Sequence, residues 1–297
     1  MVTTVIEDRG RRVYPMEVIK RVGEMQEVSL NLKRLEKSIG LVPTMGYLHR
    51  GHLSLIEAAR RENDIVIMSN FVNPLQFGPK EDLATYPRDP DRDNRLAESA
   101  GVNYVFAPSS GEMYPEKYNT YVEVEGPMVE KMCGKSRPGH FSGVTTVVLK
   151  LFLITQPDRA YFGQKDAQQA IIVRKMVTDL NVPIKIVTCP IVRDADGLAL
   201  SSRNIYLSPK ERKQALALPK ALSAGKDMIL KGETDPQSVR QLIIEVLESS
   251  PGIRIDYVEV VNGDNLEELQ TIKGKVLLAA AIYVGKTRLI DNIDLEV

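Results

Sequence analysis

The sequence predicts an α/β protein: a doubly wound parallel sheet with helices on both faces, followed by a smaller α+β domain. Three observations predict it. Up to about residue 190, short apolar runs alternate with amphipathic helical stretches in repeated β-α-β order. The run DIVIMSNFV, Asp64–Val72, is apolar almost without a break, as a strand covered on both faces must be. Beyond Pro190 the order changes to helices and then alternating strands. The first domain therefore spans residues 1–190 and the second 191–297.

Taken in order, Ser38–Thr44 (SIGLVPT) is an apolar strand, and an amphipathic helix runs from about His52 to Asn63. After the strand at Asp64–Val72, Asp89–Gly101 reads as a helix closed by its glycine, and Val102–Pro108 as a strand. Thr120–Gly126 (TYVEVEG) alternates apolar and polar residues and is expected to pair at a sheet edge. A helix over Gly143–Thr155, a strand at RAYFG, a helix over Asp166–Leu180 and a strand at PIKIVTCP complete the first domain. Residues 191–208 have little periodicity and predict a long ordered loop or small hairpin. Helices over Pro209–Lys231 and Asp235–Glu248 precede three strands, at RIDYVEVVNG, KVLLAAAIYVG and TRLIDNIDLEV.

Composition removes several function classes. The 297 residues suffice for a full core, and the apolar and charged fractions, 43% and 26%, are ordinary for a soluble protein. Basic and acidic residues balance at 39 each, so no overall field attracts nucleic acid or an anionic membrane. No apolar run approaches the roughly 20 residues that span a bilayer, and the first 15 residues lack the apolar segment of a signal peptide. A cytoplasmic location is expected. Cys133 and Cys189 are too few for a disulfide framework or a cysteine zinc site.

Two of the three histidines, His49 and His52, lie where the first apolar strand gives way to a helix. The segment is not H-E-x-x-H and no third ligand stands at a recognisable spacing, so no metal site is expected. At a helix start, exposed N–H groups and the helix dipole favour an anion, Gly46 and Gly51 let a ligand approach the backbone, and two imidazoles can donate to phosphate oxygens. Asn73 and Gln76 follow the next strand, where open α/β sheets bind ligands, and uncharged amides suit a hydroxyl-bearing substrate; on that segment alone, Asn73 before Pro74 reads better as a loop cap. Arg137 in KSRPGH can fork onto a carboxylate or phosphate. In FGQKDAQQA, Lys165 would face a nucleotide, Asp166 would cap the helix, and Gln169 shares a face with Lys165; Gln168 reads as a solvated surface residue. GLALSSRN gathers Ser201, Ser202 and Arg203 in a segment able to close on a triphosphate.

H-x-G-H after the first strand of a parallel sheet resembles the Rossmann-like nucleotidyltransferase superfamily. With FVNPLQFGPKEDLATYPR, RPGHFSGV, FGQKDAQQ and DGLALSSRN in the same order, the chain resembles the pantoate–β-alanine ligase family over residues 43–204. The resemblance implies an ATP-dependent, AMP-forming condensation of pantoate with β-alanine to pantothenate through a pantoyl adenylate. It implies Mg²⁺ accompanying ATP, held by the nucleotide and water, and a homodimer. Carried over by position, His49, His52, Lys165, Ser201, Ser202 and Arg203 handle ATP phosphates. Pro43, Thr44, Met45, Gly51, Gly163, Asp166, Val192 and Leu200 belong to the ATP pocket. Gln76 and Gln169 bind pantoate beside Pro43 and Thr44, and Asn73, Tyr86 and Arg137 serve the β-alanine or pyrophosphate end. The Asp82–Pro87 loop resembles the family's mobile cover. Leu200 replaces the more usual Met, and KMCGKSRPGH lacks the family's Leu-Glu-Gly, so no acidic role passes to Cys133. An enzyme moving AMP to a nucleotide-like substrate would leave the amide set unexplained. A class I aminoacyl-tRNA synthetase would need a tRNA-binding appendage, and a nucleotide sensor would need no second-ligand residues.

Overall fold

A computed structural model of the chain describes residues 6–8, 11–13, 16–79 and 81–297, with side chains from residue 16 onward. Lys80 of the second motif, and most of the first fifteen residues read above for a signal segment, lie outside the described residues. The chain divides into two compact units. The first comprises Met1–Glu123, Ser142–Phe162 and Val177–Cys189; the second comprises Val124–Phe141, Gly163–Met176 and Pro190–Val297. The second unit thus takes the whole chain from Pro190 on, and two earlier segments besides.

Strands β1 (Ile6–Asp8) and β2 (Arg11–Val13) pair antiparallel with each other. The main sheet is built from β3 (Glu17–Ile19), β4 (Ile39–Thr44), β5 (Ile65–Asn70), β6 (Tyr104–Phe106), β7 (Arg159–Gly163) and β8 (Lys185–Cys189), in the order β3-β6-β5-β4-β7-β8. Strand pairs β3–β6, β6–β5, β5–β4 and β4–β7 are parallel. The connecting helices are α1 (Val22–Arg34), α2 (Arg50–Glu62), α3 (Pro90–Ser99), the single turns α4 (Ser110–Met113), α5 (Pro127–Glu130) and α6 (Cys133–Ser136), then α7 (His140–Thr155) and α8 (Ala167–Asp179). This is the doubly wound parallel sheet the sequence predicts.

The apolar runs explain the strands. Ile65 to Ser69 of β5 are all buried, and Ile67 and Met68 are wholly so. Each such aliphatic side chain contributes about 1.5–3 kcal/mol. The core on one face joins Val42 of β4 and Val66 and Met68 of β5 to Leu55, Ile56 and Ala59 of α2 and Ala97 of α3. Helix starts follow local chemistry: the Asp89 carboxylate accepts from the Arg92 N–H, with Pro90 at the first helical position.

Two expectations fail. Thr120–Gly126 forms no strand. The N–H of Val122 donates to Thr146 Oγ1 at 2.9 Å, and its carbonyl accepts from Thr145 Oγ1, so hydroxyls of α7 replace a neighbouring strand. The helix expected over Pro209–Lys231 breaks at Leu216 into α9 (Pro209–Ala215) and α10 (Ala217–Leu230). Pro219 is the cause: inside a continuous helix its ring would meet the Ala215 carbonyl, whereas in the first turn of α10 its missing N–H costs nothing.

The C-terminal part of the second unit adds α11 (Pro236–Glu248) and an antiparallel sheet, β11-β10-β9, from β9 (Ile253–Asn262), β10 (Lys275–Val284) and β11 (Thr287–Glu296). Strand β10 is covered on both faces. Val276, Leu278, Ala280, Ile282 and Val284 pack with Leu218, Leu222, Val239 and Ile243 of α10 and α11. Leu277 and Ala279 pack on the other side with Ala167 and Ile171 of α8. Its period-2 pattern divides one strand between two cores.

Candidate active site

In the first unit, the segment after β4 is shaped by one buried carboxylate. Asp93 of α3, 1% exposed, accepts from the N–H groups of Tyr47 at 2.8 Å and Leu48 at 2.7 Å, and from Asn70 Nδ2 at 3.3 Å. Gly46 takes φ +81°, and a Cβ there would meet Asn70 Oδ1 at 2.5 Å and Asp93 Oδ2 at 2.9 Å. Only glycine satisfies both the left-handed backbone and this close approach. The turn delivers His49 as the N-cap of α2 and His52 at the third helical position, the two side chains forming a reciprocal capping box.

The imidazole rings stack with centroids 4.0 Å apart and planes 31° from parallel. The Nδ1 of His52 accepts from the His49 N–H at 3.3 Å. A ring nitrogen that accepts from a backbone N–H carries no proton itself, so this bond fixes how the His52 ring is set at the start of α2. Beside the pair, Thr44 Oγ1 donates to the Ser69 carbonyl at 2.6 Å and accepts from the Gly46 N–H at 3.2 Å.

Gln76 and Asn73 are buried in the same unit, around a 3-10 turn at Pro74–Gln76. Gln76 Nε2 donates to Met45 Sδ at 3.2 Å. The amide nitrogen of Asn73 donates to Gln76 Oε1 at 3.1 Å and to the Gly143 carbonyl at 3.0 Å. Its oxygen accepts from Leu75 N–H at 3.3 Å and Tyr114 OH at 2.8 Å. All four hydrogen-bonding positions of the Asn73 amide are engaged within the protein. Burial pushes the Tyr114 phenol well above its ordinary value, so the hydroxyl remains a donor. Tyr86 is buried and stacks edge-on with Phe77, centroids 5.8 Å apart.

In the second unit, Gly163 ends β7 and the 3-10 turn Gln164–Asp166 carries Lys165, whose ammonium lies 3.8 Å from Asp166 Oδ1. Asn292 of β11 grips this turn: its Nδ2 donates to the carbonyls of Gln164 at 2.8 Å and Lys165 at 3.0 Å, and its Oδ1 accepts from Gln164 Nε2 at 3.1 Å. Gln168, expected at the surface, is 4% exposed. It accepts from the Cys133 N–H at 2.9 Å and donates to the Met128 and Lys131 carbonyls at 2.8 and 2.9 Å. Gln169, one residue on, stays half-buried.

Residues 192–200 form a small hairpin, one of the two alternatives read from the sequence. Leu200 N–H donates to the Val192 carbonyl at 3.0 Å, Asp194 N–H to Leu198 O at 2.9 Å, and Arg193 bridges antiparallel to Ala199. Arg193 forks onto Asp291 of β11 at 2.6 and 3.0 Å, and Arg212 clamps Asp194 and Asp196 at 2.6 and 2.8 Å. Arg212 holds the Asp196 carboxyl below the usual carboxylate range. Ser201 caps the 3-10 helix Ser202–Tyr206, its Oγ accepting from the Arg203 N–H at 3.3 Å, and Ser202 is buried. Arg137 lies 2.9 Å from His140 Nε2 through its Nη1. Among the described residues no group of three or more His, Cys, Asp or Glu side chains could hold a metal ion, and no helix is long and apolar enough to cross a membrane.

A family model for pantoate–β-alanine ligase matches residues 17–294. The chain belongs to the pantoate–β-alanine ligase family. Its relatives include pantothenate synthetases from Acetivibrio thermocellus, 58% identical over 95% of this chain and 100% of the relative, and from Thermotoga neapolitana, 53% identical over 93% and 99%. The crystal structure of a pantothenate synthetase from Thermus thermophilus superposes with a TM-score of 0.90 at 48% identity, covering 95% of this chain and all of the other. A Francisella tularensis ligase, complexed with β-γ ATP and β-alanine, matches at 0.76 and 35% identity over 94% and 97%. The chain is thus an enzyme, a ligase joining pantoate to β-alanine.

Membership places the two histidines, the amide pair and the Lys165 and Ser201–Arg203 segments in a ligase, and the structure adds residues the sequence did not flag. Asp93 is a charge on the buried face of an amphipathic helix, a legible signal once α3 is aligned with its core face. Asn70, Tyr114, Asp291 and Asn292 carry no such local mark, because their partners lie 20 or more residues away in sequence.

Proposed function

We propose that the chain condenses pantoate with β-alanine at the expense of MgATP, releasing pantothenate, AMP and pyrophosphate through an enzyme-bound pantoyl adenylate. A pantoate carboxylate oxygen attacks the α-phosphorus and pyrophosphate leaves. The amine of β-alanine then attacks the acyl carbon, and AMP departs with the C–O electron pair. A carboxylate becomes an acyl donor only when its oxygen is made a good leaving group, so alignment and charge stabilisation suffice and no protein nucleophile is required.

The observation that carries this reading is the histidine pair at the start of α2, with His52 Nδ1 held by the His49 N–H and the Gln76 amide on the neighbouring turn of the same unit. His49 and His52 donate to ATP phosphates, together with Lys165, Ser201, Ser202 and Arg203. Met45, Gly51, Gly163, Asp166, Val192 and Leu200 belong to the nucleotide pocket. Gln76 and Gln169 hold pantoate beside Pro43 and Thr44. Tyr86 and Arg137 serve β-alanine and pyrophosphate, and Asn73 acts through Gln76, whose Oε1 it holds. The Francisella relative's β-γ ATP and β-alanine complex supports both substrate assignments. Mg²⁺ enters as part of the nucleotide substrate. The working form is a cytoplasmic homodimer.

Product analysis tests the reading. With MgATP, pantoate and β-alanine, AMP, pyrophosphate and pantothenate are expected in equal amounts; ADP as product, or turnover indifferent to pantoate, overturns it.

A further inference from the structure

Two adjacent residues of β11, Asp291 and Asn292, are 2% and 3% exposed although both are polar. Buried polar side chains are retained where every group has a partner, and here the partners are informative. On a strand, neighbouring side chains leave opposite faces of the sheet. Asn292 stands opposite Ala279 of β10 and Asp291 opposite Ala280. Ala279 belongs to the core shared with α8, and Ala280 to the core shared with α10 and α11. The small alanines leave room for the polar side chains beside them. The Asn292 N–H donates to Asp291 Oδ1 at 2.8 Å, tying the two together.

Each side chain ends on a segment to which ATP phosphates are assigned. Asn292 spends both amide hydrogens on consecutive carbonyls of the Gln164–Asp166 turn and accepts from the Gln164 side chain. A turn of three residues satisfies few of its own backbone groups, so this grip fixes its orientation and the direction in which Lys165 leaves it. Asp291 takes both arms of Arg193, whose Nη1 also donates to the Gly197 carbonyl at 3.2 Å. Arg193 and Ala199 bridge the two limbs of the hairpin, and Asn204 Nδ2 donates to the Ala199 carbonyl at 3.0 Å across Ser201–Arg203.

We propose that Asp291 and Asn292 are positioning residues for ATP activation: Asn292 sets Lys165, and Asp291, through Arg193, sets Ser201–Arg203. The inference rests on the phosphate roles given above for those residues. The two residues touch no substrate; they act through what they hold. Displacing a phosphate-binding group by an ångström costs up to about 10²-fold in rate.

The experiment combines single-turnover adenylate formation, steady-state kinetics and thermal unfolding on Asn292→Asp, Lys165→Ala and the double variant. Asn292→Asp keeps the side-chain shape but turns a carboxylate toward two carbonyl oxygens. It is expected to slow adenylate formation about 10-fold or more, with the KM for β-alanine unchanged, and to slow Lys165→Ala less than 2-fold further. A loss of thermal stability with the adenylation rate intact shows a merely structural role and overturns the proposal. So does a full multiplicative loss in the double variant, which separates Asn292 from Lys165. Lys165→Ala with undiminished adenylation refutes the Lys165 assignment itself and takes the Asn292 inference with it. Arg193→Lys, which loses the fork at a partly exposed position and preserves the fold, supplies the second arm. A raised KM for ATP with β-alanine use unaffected supports the Asp291 relay, and unchanged ATP kinetics overturns it.

Discussion

Replacing Gly143 by alanine sets two physical effects of opposite sign against each other. In an exposed helix interior, Gly→Ala stabilises by about 1 kcal/mol through backbone entropy and helix propensity. In α7 the new Cβ would run into the Leu75 carbonyl group and stand 2.6 Å from the Gln76 nitrogen, where ordinary contact begins at 3.4 Å. The obstacle is backbone and cannot swing aside as a side-chain tip can, so the Pro74–Gln76 turn must retreat from α7 by at least the difference for Gln76, about 0.8 Å, and further at the Leu75 carbonyl. Overpacking of this kind costs about 1–3 kcal/mol. The hydrogen bond from Asn73 to the Gly143 carbonyl is lost with it, worth about 1 kcal/mol. Repulsion wins, and a net destabilisation of about 1–3 kcal/mol is expected in urea unfolding, alongside a KM for pantoate raised about 10-fold or more because Gln76 moves with the turn. A Gly143→Ala variant at least as stable as the parent, with pantoate kinetics intact, would refute both the packing argument and the placement of Gln76.

Further perturbations address the rest of the site. His52→Ala is expected to slow single-turnover pyrophosphate release by about 10²-fold, the size typical of losing one transition-state donor, and an unchanged burst would exclude it from the phosphate site. Gln76→Ala should impair turnover at limiting pantoate while leaving the KM for ATP within about 2-fold; the reverse pattern would move Gln76 to the nucleotide. Asp93→Asn turns an amide NH₂ toward one of the N–H groups of Tyr47 and Leu48, and should cost about 1.5–3 kcal/mol and lower kcat by disordering His49. Equal stability and rate would leave the carboxylate no structural role. Asp196 titrates below its ordinary value because Arg212 hydrogen-bonds it, so its folded pKa lies under the unfolded one. Its stabilisation is complete above pH ~4 and fades as the pH falls through the folded value. Asp196→Asn should therefore lower the Tm near neutrality and converge on the parent below pH ~4, and a Tm difference growing in acid would reverse the sign.

Strands Ile39–Thr44 and Ile65–Asn70 were legible because unbroken apolar runs need cover on both faces, and the histidine junction because strand, glycine and helix follow each other within 20 residues. Thr120–Gly126 misled because alternation registers one buried side, which the hydroxyls of α7 supply as well as a strand would. Strand β3 and helix α1 leave little mark in the sequence for the opposite reason: β3 has three residues, too few to show a period, and α1 buries only Met25, Ser29 and Leu32. In the site, motif residues carry their own spacing. Gln168 and Gln169 are identical letters at adjacent positions, and only the fold reveals that one is tied to three backbone groups while the other is left half-buried. Asn73 presents the same problem, since its role as a hub depends on Tyr114 and Gly143, 41 and 70 residues away.

One letter in β4 has a wider consequence. Thr44 turns its carbonyl toward β5, where it accepts from the Phe71 N–H at 3.1 Å, so Pro43, one residue back, turns its nitrogen toward β7. That nitrogen carries no hydrogen, and the β4–β7 register is confined to Gly40↔Arg159 and Leu41↔Ala160. The chain reverses its direction of winding between these two strands, with β5 and β6 laid to one side of β4 and β7 and β8 to the other. Pro43 works there like the stop at the foot of a zipper: it withholds from the β4–β7 ladder the donor that would carry it one step further. The place where the two halves of the sheet part is thereby written into the covalent backbone, and Pro43→Val would give β4 a donor with which to extend its ladder to β7.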